Sequence, residues 1–183
     1  MPKIIALTGV IGSGKSTVAT HLVDKHHFTL VKFAGGLKAM LRALLTYSLL
    51  PPAVIEDMIE GAYKETPAAI FQGKTPRMVM QTLGTEWGRT YLGEDFWAHL
   101  AAMRIKELTG FGASVVVDDC RYGNEAAVIR GLGGEIWKIT RPGVPVMEHT
   151  SEANQHLIVA HRELTNAGTV DELLAAVSKA VAL

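Results

Sequence analysis

The sequence predicts an α/β fold in which a parallel sheet is covered by helices on both faces. Short apolar runs without polar alternation, Ile4-Ile5-Ala6-Leu7 and Val115-Val116-Val117, suit strands buried on both sides. Segments with helical apolar spacing separate these runs, and strands joined by helices pair in parallel through crossover connections. A glycine-rich stretch from Gly9 to Gly14 joins the first strand to the first helix.

In chain order, the strand Ile4 to Leu7 leads through the glycines into a helix from Lys15 to about His26, and a shorter strand covers Thr29 to Phe33. Leu37, Met40, Leu41, Leu44 and Leu45 recur at helical spacing within Gly36 to Leu50, and Pro51-Pro52 ends that helix. Gly61 to Thr75 has weak periodicity and reads as a mobile connection. Pro76 suits the first turn of a helix reaching about Gly88, and a further helix spans Asp95 to Leu108. After Val115 to Val117 come a helix from Asn124 to Leu132 and a strand from Gly134 to Thr140. Arg141 to His156 shows no clear period and reads as a lid over the reacting groups. Thr169-Val170-Asp171-Glu172 is a capping box opening a final helix that carries Leu173, Leu174, Val177 and Val181.

With 183 residues, 48% apolar and 20% charged, the chain reads as one domain over residues 1–183 with a sizeable core. Lys plus Arg equals Asp plus Glu at 18 each, so there is no basic excess of the kind that binds long nucleic acids. Any phosphate chemistry must therefore come from a local site. The one cysteine, Cys120, excludes an internal disulfide, fits a reducing compartment and reads as a small buried apolar residue. No signal-peptide pattern follows Met1, and the apolar stretch from Met40 to Ile55 is broken by Arg42, Thr46, Ser48 and Pro51-Pro52. These features predict a cytoplasmic protein without a membrane span.

Gly9-Val10-Ile11-Gly12-Ser13-Gly14-Lys15-Ser16 satisfies G-x-x-x-x-G-K-[ST] at every required position, and Thr17 follows. Gly9, Gly12 and Gly14 let the backbone turn so that amide N–H groups point at phosphate oxygens. Lys15 brings an ammonium to the β- and γ-phosphates, and Ser16 offers a hydroxyl to Mg²⁺. The predicted nucleotide side is thus Gly9, Ile11, Gly12, Ser13, Gly14, Lys15, Ser16 and Thr17, with ATP and Mg²⁺ as cofactors. The fold class sharpens to a P-loop NTPase with three α/β/α layers around a parallel sheet.

A second phosphate site is expected at Asp118-Asp119-Cys120-Arg121, at the carboxyl end of a strand where open α/β sheets bind ligands. A carboxylate there can hold Mg²⁺ through its water shell or take a proton from an acceptor, and an arginine can fork onto a phosphate. Glu125 stands four residues after Arg121, so one could hold a phosphate while the other meets a base edge, or the two could form an exposed ion pair. Between Arg77 and Arg89, Arg77, Gln81, Thr85 and Trp87 lie near a helix end with glycines, and Trp97 follows ten residues after Trp87. An arginine for a monophosphate and an aromatic ring for a base are what a nucleotide acceptor needs, although either tryptophan could be core.

These pieces together resemble the bacteriophage deoxynucleoside monophosphate kinases. The resemblance runs through the P-loop, Ala34-Gly35-Gly36-Leu37-Lys38, Arg77 with Gln81-Thr82-Leu83-Gly84-Thr85, and Asp119-Cys120-Arg121 through Glu125. It continues through Arg141-Pro142-Gly143, His149-Thr150-Ser151-Glu152-Ala153 and Thr165-Asn166-Ala167-Gly168-Thr169, leaving Tyr47 to Lys74 uncovered. It implies an NMP-kinase-like fold, with an acceptor-binding insertion over about 34–97 and a lid over about 141–156. It also implies ATP-dependent phosphorylation of a (deoxy)nucleoside 5′-monophosphate. By matching position, Lys38, Arg77, Gly84, Thr85, Trp97, Asp119, Arg121 and Glu125 would line the acceptor site, and Asn166 would join the nucleotide side. Lys15, Arg121, Arg141 and Asp119 would form the catalytic set. Asp118 stands where relatives can carry proline. A homodimer is left open, and a phage origin would place the protein in the host cytoplasm.

Two other readings stay open on the residues alone. One is a kinase of the same fold acting on another small metabolite, such as a coenzyme precursor. The other is a nucleotide-dependent switch, against which stands the absence of an N-K-x-D guanine-reading motif.

Overall fold

The computed structural model describes residues 2–144 and 158–182. Backbone proximity divides the chain into two compact units, one of residues 1–33 with 101–183 and the other Ala34–Leu100.

The first unit is built on five parallel strands: β1 (Ile4–Thr8), β2 (Thr29–Val31), β3 (Val115–Val117), β4 (Glu135–Thr140) and β5 (Arg162–Thr165), in the order β2-β3-β1-β4-β5. β1 is central, pairing Ala6 with Val117 on one side and Ile136 on the other, and all five of its residues are buried. One face is covered by α1 (Lys15–His26) and α7 (Val170–Ala182). There Ile5, Leu7, Val116, Trp137 and Ile139 of the sheet meet Val18, Ala19 and Leu22 of α1 and Leu173 and Val177 of α7. On the other face, α6 (Gly123–Gly131) packs against β1 and β4. The predicted capping box is present at α7, where Glu172 Oε2 accepts from Thr169 N–H at 2.8 Å and Thr169 Oγ1 accepts from Glu172 N–H at 3.3 Å.

The second unit is helical. α2 (Gly35–Tyr47) buries Leu37, Leu41 and Leu45, one per turn, against Ile55, Met58 and Ile59 of α3 (Pro52–Ile59). Short 3₁₀ turns at Ala62–Glu65 and Ala69–Phe71 lead to α4 (Pro76–Thr82), whose N-cap Thr75 Oγ1 accepts from Met78 N–H at 3.2 Å. The chain then widens into a π-helical stretch, Leu83–Leu92, closed by an i→i+5 bond from Gly93 N–H to Gly88 C=O at 3.1 Å. α5 (Phe96–Gly110) starts in this unit.

Several expectations change. The segment after Pro51-Pro52 continues as α3, because Pro52 at N1 starts a helix as readily as Pro51 ends one. Part of the predicted connection from Gly61 to Thr75 is wound into 3₁₀ turns. β5 carries Arg162 and Glu163 and shows little apolar alternation, since an edge strand tolerates charge. Residues 145–156 of the predicted lid, including His149 to Ala153, lie outside the described residues. Among the described residues no helix is long and apolar enough to cross a membrane.

Candidate active site

At the carboxyl end of β1, Gly9 turns the chain with φ 138°. A Cβ on Gly9 would overlap the carbonyl oxygen of Ile139 and stand 3.0 Å from Ser13 Oγ, so this turn admits only glycine. Gly12 and Gly14 also have positive φ, and Gly14 is the N-cap of α1. The first-turn amides of α1 have no partners within the helix and supply the positive end that favours phosphate. Lys15 Nζ donates to the carbonyls of Gly9 at 2.5 Å and Val10 at 2.7 Å, which folds the ammonium back over the loop. Ser16, Thr17 and Ile11 are exposed, and Ser13 is buried. Asn166 Nδ2 donates to Ser13 C=O at 3.0 Å, and Asn166 N–H donates to Thr140 C=O at 2.7 Å, so the loop after β5 braces the P-loop. A cavity of about 510 Å³, lined by Ser16, Thr17, Thr20, His21, Asp24 and Lys25 together with Leu174, runs along α1 from this loop.

The two aspartates after β3 take different tasks. Asp119 Oδ1 accepts from Phe33 N–H at 2.9 Å and so ties the end of β2 to the end of β3. Asp118 alternates with Val116, whose face is the one covered by α1, so it leaves the strand on the α1 side. It is 8% exposed, and its Oδ2 accepts from Lys32 Nζ at 2.9 Å. Its Oδ1 is buried with no hydrogen-bond partner among the described residues. A buried carboxylate oxygen without a donor is costly, so this atom is suited to a water or a hydrated ion.

Glu125, expected to meet a base edge, caps a helix. It is 4% exposed, and its Oε2 accepts from the backbone N–H groups of Arg121 at 2.7 Å and Tyr122 at 3.1 Å. The reason is local. Glu125 stands at N3 of α6, where a carboxylate reaches back to the amides before the helix and completes a capping box. The alternative Arg121–Glu125 ion pair is not formed either, because the carboxylate takes the arginine's backbone. The guanidinium of half-buried Arg121 meets no carboxylate among the described residues. Cys120 is buried, and that burial, with the charges of Glu125 and Asp119, pushes its thiol far above its ordinary range, so it serves as core. Arg141 follows β4 and is exposed.

In the helical unit, Lys38 Nζ donates to both carboxylate oxygens of Glu60, at 2.7 and 2.8 Å. Arg77, on the first turn of α4, donates from Nε to Glu65. Thr85 is exposed, and Gly84 C=O accepts from Trp97 Nε1–H at 2.9 Å. Trp97, predicted to line the acceptor site, is only 3% exposed and belongs to the core cluster with Leu37, Leu41 and Met80. Its indole presses on Gly88, where a Cβ would overlap Nε1. Trp87, packed against Phe96 at 5.7 Å and Trp97 at 6.0 Å, is the tryptophan with a surface to water. A sequence reading had no signal to separate the two rings.

No protein-family model matches the chain. Solved structures similar to it include a sugar kinase from Janibacter sp. (14% identity, TM-score 0.53, covering 100% of this chain and 95% of that one). They also include dephospho-CoA kinase from Campylobacter jejuni (14% identity, TM-score 0.51, covering 100% and 96%). With the parallel five-stranded sheet and the glycine loop after its central strand, these likenesses define a P-loop kinase fold. A curated protein of Acanthamoeba polyphaga mimivirus, which carries the provisional name deoxynucleotide monophosphate kinase, is 34% identical over 182 residues, covering 92% of this chain and 91% of that protein. The chain belongs to this deoxynucleotide monophosphate kinase family and is a nucleotide-binding phosphotransferase.

Proposed function

We propose that the chain transfers the γ-phosphoryl group of ATP to a deoxynucleoside 5′-monophosphate. The observation that carries this reading is that the paired parallel strands β1 and β3 lead, at the same end of the sheet, into the P-loop with Lys15 on its carbonyls and into the turn of Arg121, whose guanidinium meets no carboxylate among the described residues. Phosphoryl transfer asks little covalent work of a protein and depends on positioning and on positive charge around the transferred group. Lys15, Arg121 and Arg141 supply that charge. The acceptor phosphate is ionised at neutral pH and needs no strong general base. By matching position in the family, the acceptor-phosphate role falls to Lys38 and Arg77, with Gly84 and Thr85. Asp119 and Glu125 fix the β3–α6 turn on which Arg121 is carried, Asn166 steadies the loop, and the cavity beginning at Ser16 and Thr17 accommodates the nucleoside end of ATP.

The residues present fit a hydrated Mg²⁺. Ser16 offers an exposed hydroxyl on the first turn of α1, and Asp118 offers a buried, unpartnered oxygen on the same side of the sheet. No cluster of three or more His, Cys, Asp or Glu among the described residues could hold a metal alone, which suits an ion carried mainly by nucleotide phosphates and water. When bound, Mg²⁺ neutralises charge on the β- and γ-phosphates.

The test is ADP release from ATP with each common ribo- and deoxyribonucleoside monophosphate. Turnover should appear only when a monophosphate is added. Activity with none of them, or with a coenzyme precursor alone, would overturn the reading. Arg141→Ala should lower kcat by roughly 10²-fold, as expected for a cation acting on the transferring group. An effect on KM alone would assign Arg141 to ground-state binding.

A further inference from the structure

We infer that Glu60 and Glu65 are resident counter-ions for Lys38 and Arg77, and that the phosphate of an incoming monophosphate takes their place. The inference rests on the assignment of Lys38 and Arg77 to the acceptor phosphate. Both glutamates belong to one short segment, at the end of α3 and in the 3₁₀ turn that follows, within the stretch Tyr47 to Lys74 that the family resemblance leaves uncovered. Both cations singled out for phosphate are held by carboxylates from that segment.

The chemistry of the pairs favours exchange. A carboxylate presents to an ammonium or a guanidinium the same kind of anionic oxygens as a phosphate. The Lys38 side chain is 13% exposed, so its charge needs an anion at all times. The glutamate partners are more open, Glu60 at 39% and Glu65 at 61%, and can turn to water when a dianion arrives. Because the carboxylate side of each pair is open to water, the glutamate holds a long cationic side chain in place and can still be displaced by another anion. Glu56 provides the contrast. It pairs through both oxygens with Arg42, at 2.7 and 2.8 Å, and that bond holds its carboxyl below the usual range. Arg42 is not among the cations assigned to the acceptor. Glu60 reaches Arg42 as well, at 3.7 Å, so Glu56 keeps Arg42 neutralised when Glu60 lets go of Lys38.

Glu60 and Glu65 therefore act through Lys38 and Arg77 and are positioning residues. The experiment measures kcat, the KM for the best monophosphate, the KM for ATP and competitive inhibition by inorganic sulfate in Glu60→Gln, Glu65→Gln and Glu56→Gln. Glutamine keeps the shape and removes the charge, and thermal melts confirm folding. Exchange predicts that Glu60→Gln and Glu65→Gln each lower the monophosphate KM and the sulfate inhibition constant by about two- to five-fold, with kcat and the ATP KM unchanged. Glu56→Gln should change none of these. A raised or unchanged monophosphate KM in both acceptor-side variants would overturn the inference, as would an equal drop in Glu56→Gln, which marks a general field effect. Lys38→Met and Arg77→Met separate the two levels. If they raise the monophosphate KM while the glutamine variants do nothing, only the exchange fails. If they leave it unchanged, the acceptor assignment fails and the exchange falls with it.

Discussion

Lys15→Met is expected to slow phosphoryl transfer by about 10³-fold while leaving the melting temperature nearly unchanged. The ammonium lies on the carbonyls of Gly9 and Val10, inside a loop whose glycine geometry and whose brace from Asn166 do not depend on it. Its hydrogen bonds to the Gly9 and Val10 carbonyls lie at a half-buried site where water can take the donor's place, so little folding free energy is lost with it. The loss in the transition state is larger, because charge on the transferring group then has one fixed cation fewer. Single-turnover ADP formation and a thermal melt check both halves. Near wild-type turnover would mean that this loop is not the phosphate site.

What was legible in the sequence divides along a physical line. The P-loop was, because Gly9 must turn at φ 138° against the Ile139 carbonyl, a demand that glycine alone meets and that spacing records. So were the buried strands, since Val115-Val116-Val117 needs cover on both faces wherever it lies. α3 was readable and missed: Pro52 at N1 and the spacing of Ile55, Met58 and Ile59 are ordinary helix signals, hidden behind a proline pair read only as a terminator. The π-helical turn was not readable. It accompanies the bond from Trp97 Nε1 to Gly84 C=O, a contact across 13 residues that no local period encodes. The roles of adjacent carboxylates were hidden for a related reason. Asp118 and Asp119 look alike in sequence, and only the alternation of β3 sends one toward α1 and the other to the Phe33 amide. Glu125 carried a legible signal of another kind, since a glutamate at the third position of a helix is a capping residue before it is anything else.

Trp97 separates a core role from a substrate role most sharply. Trp97→Ala is expected to cost about 3–5 kcal/mol of stability, the range for truncating a buried tryptophan. The ring is 3% exposed, meets Phe96 at 4.8 Å and Trp87 at 6.0 Å, and packs with Leu37, Leu41 and Met80. Its removal also leaves the Gly84 carbonyl without its donor inside a π-helical turn. At about 2–4 °C per kcal/mol for a chain of this size, the melt should fall by on the order of 10 °C. Trp97→Phe keeps most of the apolar area but still loses the N–H, so it should cost about 1–3 kcal/mol. A core role predicts that both variants, assayed well below their melting temperatures, keep a monophosphate KM within a few-fold of the parent. A base-stacking role predicts the opposite pattern. Trp97→Ala would then raise that KM by ten-fold or more with little change in the melt, since stacking on an aromatic ring is worth about 1–3 kcal/mol per base. Thermal melts and the monophosphate KM, measured on the same two proteins, decide between these patterns, and the second would return Trp97 to the acceptor site.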